Sequence, residues 1–586
     1  MMVDKTALES NALLLVEDAP RPVMAAIEAA RVRFRPVLSI VVLAWAVRLV
    51  SLFNMMNALL RYQPKFIFWL GKSVPFEINE SFRIRMFLMS VLLFVLASGL
   101  QRGKKLAWQI TMLGLLLAPV LHLDRGVIWP QAVANLMLVG FLYFHRHYFV
   151  VESDPRSIRS ALIVCPVLAL GLLIFGTVRL HALHKHTVGD HTWPACAETA
   201  CELVFIHHTS TQLAVTTHSR NLFSLLRLGG TSIALVGLCL ILRPVLLRRR
   251  TRTEHHEKAR RLIALYGKDP LDPYALLNDK QYFFTRGGGT VVPYVLSGNL
   301  AITLADPIGS PEERPAAISE FAVFCRHRDW EPVFYEVAEE LVSYYEQAGF
   351  CVFKIGEEAR VRPADFHLKG GDFQNLRTAC NAARKNKIEF RWSEPGRPVD
   401  DAMLRQLAEI SRQWLERKKA HEMTFDMGAF SEETIRRQGV GVAIDASGQA
   451  LAFATWRSFA GASGRTLDLM RSSPNGRNVM DFVLVESIRH FQSEGIEDIS
   501  LGNAPLANAV PGSAQLQTED KAVQFLFKNL NNIYGYQQLF DFKRKYRPQW
   551  RGRYVAYHRG VHLPLVGLAL VRVHAPGGIW RFLVGN

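Results

Sequence analysis

Ionisable groups gather at four places in the C-terminal part of this chain. In "RTLDLMRSSPNGRNVMDF" (465–482), Asp468 and Arg471 stand three apart in an apolar strand pattern, ahead of a Ser-Ser-Pro-Asn-Gly turn and an apolar helical run. On a regular strand the two face opposite ways; a bend, or an end at Met470, turns both into one cleft. The amides opening the next helix then aim at that cleft, a seat for a negative charge or an oxyanion. In "QWLERKKAHEMTFDMGAF" (413–430), Lys419 and Glu422 lie at i, i+3 spacing before an irregular loop with Phe425 and Gly428. As a surface ion pair they contribute about a few tenths of a kcal/mol.

The third cluster is "FQNLRTACNAARKNKIEF" (373–390), where a helix puts Phe373, Leu376, Cys380 and Ala383 on one side. Arg377, Asn381 and Arg384 fall on another side, either a solvated face or one that binds phosphate. Last, "FDFKRKYRPQWRGRYVAY" (540–557) interleaves Lys543, Arg544, Lys545, Arg547, Arg551 and Arg553 with Tyr546, Trp550 and Tyr554. Cations suit a phosphate backbone and rings suit unpaired bases; a basic terminal strand on a membrane surface explains the run equally well.

Other chemistries lack their residues. No GxSxG elbow or Ser–His–Asp set is present, so covalent catalysis has no candidate. "RGGGT" (286–290) precedes a strand and lacks the GxGxxG and Walker patterns, so it reads as a hairpin turn. The seven cysteines form no CxxC pair and no Cys/His cluster at zinc spacing, so no metal is expected. In the histidine-rich loop 180–228, on the side opposite the basic flanks, a disulfide between Cys196 and Cys201 is expected before a metal site, because that side is oxidising.

The elements that must position these groups are short strands alternating with amphipathic helices from Leu262 onward. Strands are expected at 281–285, 290–296, 299–304, 332–336 and 350–355, with a helix at 312–328 and another ending at Gln347. The same outline returns as strands at 440–445, 450–458, 465–470 and 497–501 with a helix at 477–493. Both parts run hairpin, strand, turn, helix, strand, which is a mixed-sheet α/β unit present twice.

Ahead of this stand six apolar segments near the length of a bilayer span: 37–56, 84–100, 106–123, 127–144, 160–178 and 229–247. Arg31, Arg33, Arg35, Arg102, Lys104, Lys105, Arg146, Arg156, Arg159 and the "RRRTR" run at 248–252 flank them on one side, which by the positive-inside rule is cytoplasmic. With 586 residues, 49% hydrophobic and a net charge of +17, the composition fits a membrane part joined to a basic soluble part.

The clusters, in this order and after membrane spans, resemble the aminoacyl-phosphatidylglycerol synthases, the multiple peptide resistance factor family. The resemblance rests on "DLMR" followed by Pro and "VMDF", on "LGNAPLANA" (501–509), on "FKRKYRPQWRGRY" (542–554) and on "FHLKGGDFQNLRTACNAA" (366–383). It covers about residues 262–560. It implies a multi-domain chain, a transmembrane helical bundle followed by two tandem acetyltransferase-like (GNAT-like) α/β domains. The divisions expected are a cytoplasmic segment (1–36), the membrane domain (37–247), a basic linker (248–262), a first domain (263–370), a linking helix (371–390) and a second domain (391–586).

The activity implied is transfer of an amino acid, lysine first and alanine or arginine next, from aminoacyl-tRNA to the glycerol hydroxyl of phosphatidylglycerol. The chain would then be a multi-pass protein of a bacterial inner membrane with its catalytic part cytoplasmic. No cofactor is needed, because the aminoacyl ester is already activated. The partners implied are aminoacyl-tRNA, phosphatidylglycerol and anionic membrane lipid, with homo-oligomerisation left open. Carried onto this chain, the polar site positions are Lys419, Glu422, Asp468, Arg471 and Lys543. Asp468 and Glu422 would bind the ammonium or orient the hydroxyl, and Arg471 and Lys543 would hold phosphate. Arg377, Arg384, Lys545, Arg547, Arg551 and Arg553 would steer the tRNA. The competing readings are a GNAT-type transfer to another acceptor and a lipid transporter or sensor with a non-catalytic soluble half.

Overall fold

The computed structural model describes residues 253–397, 399–418, 421–476, 479–505, 536–558 and 563–574, and, nearer the N-terminus, chiefly 94–121, 129–149, 155–183, 191–206 and 216–241. Two compact units divide the chain, one built on 35–247 with 326–330 and one on 248–325 with 331–586.

In the first of these, helices α1 (Lys105–Leu121), α2 (Trp129–Phe144) and α3 (Pro155–Ala182) occupy three of the expected spans. The expected span at 37–56 lies largely outside the described residues. The last span is displaced: helix α5 (Thr217–Ile241) begins a dozen residues before 229. Thr216 caps it by accepting from the Ser219 amide, and Leu222, Phe223 and Leu226 bury their side chains beside α4 (Trp193–Cys201). Gly229 and Gly230 mark a close approach and not a helix start, because a Cβ on Gly230 would lie 2.2 Å from the Val204 carbonyl oxygen. Ile158–Ala182 and His218–Leu240 are long and apolar enough to cross a membrane. Cys196 and Cys201 are not joined as expected; five apart at the end of α4, one is buried and the other exposed.

The second unit is organised by one twelve-stranded mixed sheet. Its strands are β3 (Gln281–Phe284), β4 (Thr290–Ser297), β5 (Leu300–Leu304), β6 (Ile308–Gly309), β7 (Glu331–Ala338), β8 (Phe350–Val361), β9 (Glu389–Ser393), β10 (Gly439–Ile444), β11 (Ala450–Phe459), β12 (Gly464–Ser472), β13 (Asp498–Pro505) and β14 (Gln549–His558); β1 (Thr187–Gly189) and β2 (Gln212–Ala214) form a separate ladder in the other unit. The helices of the second unit are α6 (Thr253–Tyr266), α7 (Arg314–Arg326), α8 (Val342–Gln347), α9 (Gln374–Lys385), α10 (Asp401–Lys418), α11 (Glu432–Arg436), α12 (Met480–Ser493), α13 (Tyr536–Arg544) and α14 (Leu563–His574).

Each half has the expected element order. An antiparallel meander (β3-β4-β5, then β10-β11-β12) leads through a helix (α7, α12) to a strand parallel to the last of the meander: β5 with β7, β12 with β13. "RGGGT" is the β3–β4 turn, closed by the Thr285 amide on the Thr290 carbonyl at 3.0 Å, with Gly288 in the left-handed region.

The halves do not close separately. The order across the sheet is β3-β4-β5-β7-β14-β8-β13-β12-β11-β10-β9. Strand β14 of the second half lies between β7 and β8 of the first, and β8 pairs with β13 of the second. The basic run at 549–558 is thus a central strand and not an exposed terminal one. Its Val555, Ala556 and Tyr557 are buried. Helices α9 and α12 cover one face around Leu376, Cys380, Ala383, Phe482, Val483 and Trp456. Helix α10 covers the other face of the second half through Leu404, Leu407 and Ile410. The apolar run before the C-terminus is α14, which packs Val566 and Ala569 over the β4–β5 side.

Candidate active site

Asp468 and Arg471 share a face of β12 because the strand bulges between them. Leu467 pairs with Trp456 and Met470 with Ala454, so Asp468 and Leu469 together oppose Thr455. The displaced Leu469 amide donates to the Thr455 hydroxyl at 3.0 Å, and the alternation of side chains is shifted by one from there on. Leu467 and Met470 point to α12, while Leu469 and Arg471 point to α10. The bend foreseen from the sequence is present, inside a strand that continues to Ser472.

The same geometry removes the helix N-terminus from these residues. Helix α12 lies on the Leu467–Met470 face, and its first turn carries Asp481, which accepts from Lys545 Nζ at 2.8 Å and from the Tyr546 hydroxyl at 2.9 Å. Its amides are not offered to Asp468 and Arg471.

Both residues are committed to partners. The fully buried Asp468 carboxylate accepts from the Gly428 amide (2.7 Å), Gln438 Nε2 (2.8 Å) and Arg457 Nε (2.8 Å). Arg471 donates to both oxygens of Glu422 at 2.7 Å each, touches the Ser411 hydroxyl and lies over the Trp414 ring. Lys419 lies outside the described residues.

The loop 421–430 is therefore a strap pinned along its length. Glu422 is held by Arg471, the Phe425 carbonyl by Lys280 Nζ (2.8 Å), Asp426 by His574 Nε2 (3.1 Å) and Gly428 by Asp468. The Thr424 main-chain N–H adds a hydrogen bond to the His574 carbonyl at the end of α14. Gly428 has no alternative, since a Cβ there would lie 2.4 Å from Asp468 Oδ2. Burial lowers the His574 pKa, yet Asp426 outweighs it and holds the imidazole above its ordinary value.

Lys543 lies elsewhere, in a polar cluster at the centre of the sheet. Three neighbouring strands are irregular there: β7 at Glu336, β8 at Ile355 and β13 at Leu501–Gly502. Glu336 has φ 61 and Gly502 φ 83. Bulges re-aim side chains, and this line of them brings together Glu336, Glu358, Asn503, Lys543 and Arg553, all buried or half-buried. Arg553 bonds Glu358 (2.6 Å), Asp269 (2.8 Å) and the Glu336 carbonyl (3.1 Å). Glu358 also accepts from Ser500 and faces Arg360. Asn503 accepts from Lys543 Nζ through its carbonyl (2.7 Å) and donates to Glu336 Oε1 through its amide (2.6 Å).

The electrostatics follow from burial. Taking Lys543 out of water lowers its ammonium pKa to about 7 even though Glu336 and Glu358 pull it back up. Burial, with Asp426 adding to it, pushes Glu336 up to about 8 against Arg553 and the Asn503 bond. Burial also raises Glu358, but Arg553 and Arg360 prevail and keep it below the usual range. An amine and a carboxyl that titrate next to neutrality in one interior site form a pair suited to moving a proton.

The remaining sequence candidates divide by exposure. Arg553 is buried and saturated, which does not fit a tRNA-steering role at the surface. Arg377 is spent on the Leu368 and Gly370 carbonyls, and Arg547 contacts Asp372. Arg384 and Arg551 are exposed; the nearest carboxylate to Arg384 is Glu486 at 3.8 Å. The sequence reading did not single out Glu336, Glu358, Asn503 or Asp426. The signal available was Glu336 in the interior of the apolar strand "EPVFYEVA", a residue that a buried strand accepts only with partners.

A mixed α/β sheet with a buried acid–base cluster, on a chain that also carries helices of membrane-spanning length, is thus the class in view. Residues 260–557, half of the chain, match the family model described as Phosphatidylglycerol lysyltransferase, C-terminal, and the chain belongs to that family, as the motifs indicated. It is 25% identical over 495 residues to the phosphatidylglycerol lysyltransferase of Bacillus subtilis, covering 83% of this chain and 54% of that protein. It is 26% identical over 513 residues to an uncharacterised protein of Corynebacterium glutamicum, covering 82% and 63%. The solved structure of L-PGS from Bacillus licheniformis is 26% identical with a TM-score of 0.47, covering 54% of this chain and 96% of that one. The chain thus spans 54% and 63% of the length of the first two relatives.

Proposed function

We propose that this chain is an aminoacyltransferase that moves an amino acid, lysine in the first instance, from aminoacyl-tRNA to the glycerol hydroxyl of phosphatidylglycerol. The observation that carries the reading is the family match across 260–557, which takes in the strap, the bulged strands and the central strand β14. The membrane-length helices support a lipid acceptor taken from the adjoining leaflet, with the basic 248–252 run against anionic headgroups on the cytoplasmic side.

The chemistry is an ester exchange. The lipid hydroxyl attacks the aminoacyl carbonyl, an oxyanion forms, and the ribose oxygen of the tRNA leaves. Placement of two large substrates and stabilisation of the oxyanion dominate such a barrier. Asp468 and the Arg471–Glu422 pair act by holding the strap in place, since their polar atoms are already engaged. Lys543, buried and close to neutral pKa, acts at the reacting atoms and not as a phosphate clamp. Exposed Arg384 and Arg551 steer the tRNA.

The test is the lipid extract of a bacterial host that lacks aminoacyl-lipids and expresses this chain. Mass spectrometry should reveal an aminoacylated phosphatidylglycerol whose mass names the amino acid. If none forms, and the purified chain also gives none with a panel of charged tRNAs and lipids, the reading fails.

A further inference from the structure

Glu336 is placed at some cost. It is a non-glycine residue in the left-handed region, an arrangement that surrounding structure must impose. It is the extra residue of a bulge in β7, between Tyr335 and Val337, which pair in turn with Val555 and Tyr554. Its carbonyl is held by Arg553 and its carboxyl by Asn503. Asn503 itself sits just past the β13 bulge and holds Lys543 with its other polar group, the main-chain carbonyl. One residue thus fixes both an amine and a carboxyl. The side-chain oxygen of Asn503 is buried and has no donor among the described residues.

We propose that Glu336 is a positioning residue for the transfer step, acting through Lys543 by way of the Asn503 that both contact, so that Lys543 Nζ takes the proton of the attacking lipid hydroxyl. This rests on the transferase reading above. In the step, the hydroxyl O–H bond breaks and an N–H bond forms on the Lys543 amine. The hydroxyl oxygen bonds to the aminoacyl carbonyl carbon, the bond from that carbon to the tRNA ribose oxygen breaks, and Lys543 returns the proton to the departing oxygen. No net proton is gained or lost. The Glu336 carboxylate stabilises the ammonium while it exists, so the active form of the pair is the one in which the Lys543 amine and the Glu336 carboxylate are both deprotonated.

The groups facing the pair are consistent with this assignment. From β8 comes Glu358, already neutralised by Arg553 of β14 and by Arg360. From the strap comes Asp426, matched by His574 of α14. Ahead of the sheet, Asp269 pairs with Arg553. Among the described residues Glu336 is therefore the carboxyl of this cluster without a cationic side chain bonded to its oxygens.

The experiment is the pH dependence of kcat/KM for the purified full chain, with lysyl-tRNA and vesicles of phosphatidylglycerol, for the wild type, E336Q and E336D. The wild-type rate should climb in two overlapping steps between about pH 7 and pH 8. E336Q should collapse them into one step moved to lower pH by roughly one unit, with a lower plateau. E336D keeps the charge and should keep the two steps. A uniform fall in rate for E336Q with an unmoved profile would overturn the proposal and leave Glu336 a structural residue. If E336Q does not accumulate, a one-step profile for E336D overturns it equally. A wild type that transfers nothing defeats the transferase reading itself, which is a different result from either.

Discussion

Leu469 gives its main-chain N–H to the hydroxyl of Thr455 at 3.0 Å, and this bond lets Asp468 and Arg471 share a face although they are three apart. The bulge leaves that N–H without a ladder partner, and Thr455 is fully buried, so no water replaces it. T455V, of similar shape, should lower stability by about 1–3 kcal/mol. T455S should recover most of it, and chemical denaturation of the full chain in detergent distinguishes the two.

Asp468 should behave as a structural anion. D468N keeps the shape but leaves Arg457 facing a neutral amide in a buried site, a loss of about 3 kcal/mol by the usual cost of breaking such a pair. G428A drives a methyl onto the same carboxylate and should cost about 1–3 kcal/mol. Both should reduce lipid product together with the thermal midpoint. A variant that abolishes transfer with an unchanged midpoint would return Asp468 to the reacting atoms.

The Arg471–Glu422 pair is more open on the carboxylate side, with Glu422 30% exposed, so its removal should cost less. E422Q should lower stability by about 1–2 kcal/mol, after allowance for screening. R471K should cost about as much, because an ammonium cannot reproduce two parallel bonds to one carboxylate. Proteolysis within 421–430 should quicken in both, and unchanged cleavage rates would show that other pins suffice to hold the strap.

Stability should also report Glu336. Its folded pKa lies near 8, above the ordinary 4.5, so the folded chain retains a proton that the unfolded chain has released. The stability it contributes is present below about pH 4.5 and is lost as pH rises through about 8. Lys543 works in the opposite sense: held near 7 instead of 10.5, it penalises the folded state at low pH and relaxes as pH rises above 7. E336Q should flatten the decline between pH 5 and 8 and be at least as stable as the wild type at pH 8, measured by thermal midpoint across that range.

Two arginines on α9 should separate by role. R384E, which breaks only a 3.8 Å contact to Glu486, should leave stability within about 0.5 kcal/mol and weaken tRNA binding most at low salt. R377A removes a clasp on the Leu368 and Gly370 carbonyls and should lower the thermal midpoint instead. Filter binding over a salt series reads the first effect and calorimetry the second.

Element order was legible from periodicity, because amphipathic helices and short apolar strands carry their burial pattern locally. Leu376, Cys380 and Ala383 fell on the buried side of α9 as their spacing required. Sheet order was not legible, since no local signal says that β14 pairs with β7 and β8. The same blindness put Arg553 on a surface it does not occupy. Asp468 and Arg471 were found by type and spacing, but their saturation by Arg457, Gln438 and Glu422 depends on long-range packing. Glu336 and Asn503 escaped because their placement is a matter of bulges, and a bulge leaves little trace in residue type.

The position of β14 also sets a timetable for biosynthesis. Strand β7, already paired with β5, obtains its second neighbour only when residues 549–558 leave the ribosome, about two hundred residues after β7 itself. At ~5–20 residues per second that is on the order of ten to forty seconds during which β7 and β8 each present an open edge. A nascent chain in this state needs shelter from pairing with its neighbours. Expression should accordingly be sensitive to pauses between codons 360 and 549, and far less so to pauses upstream.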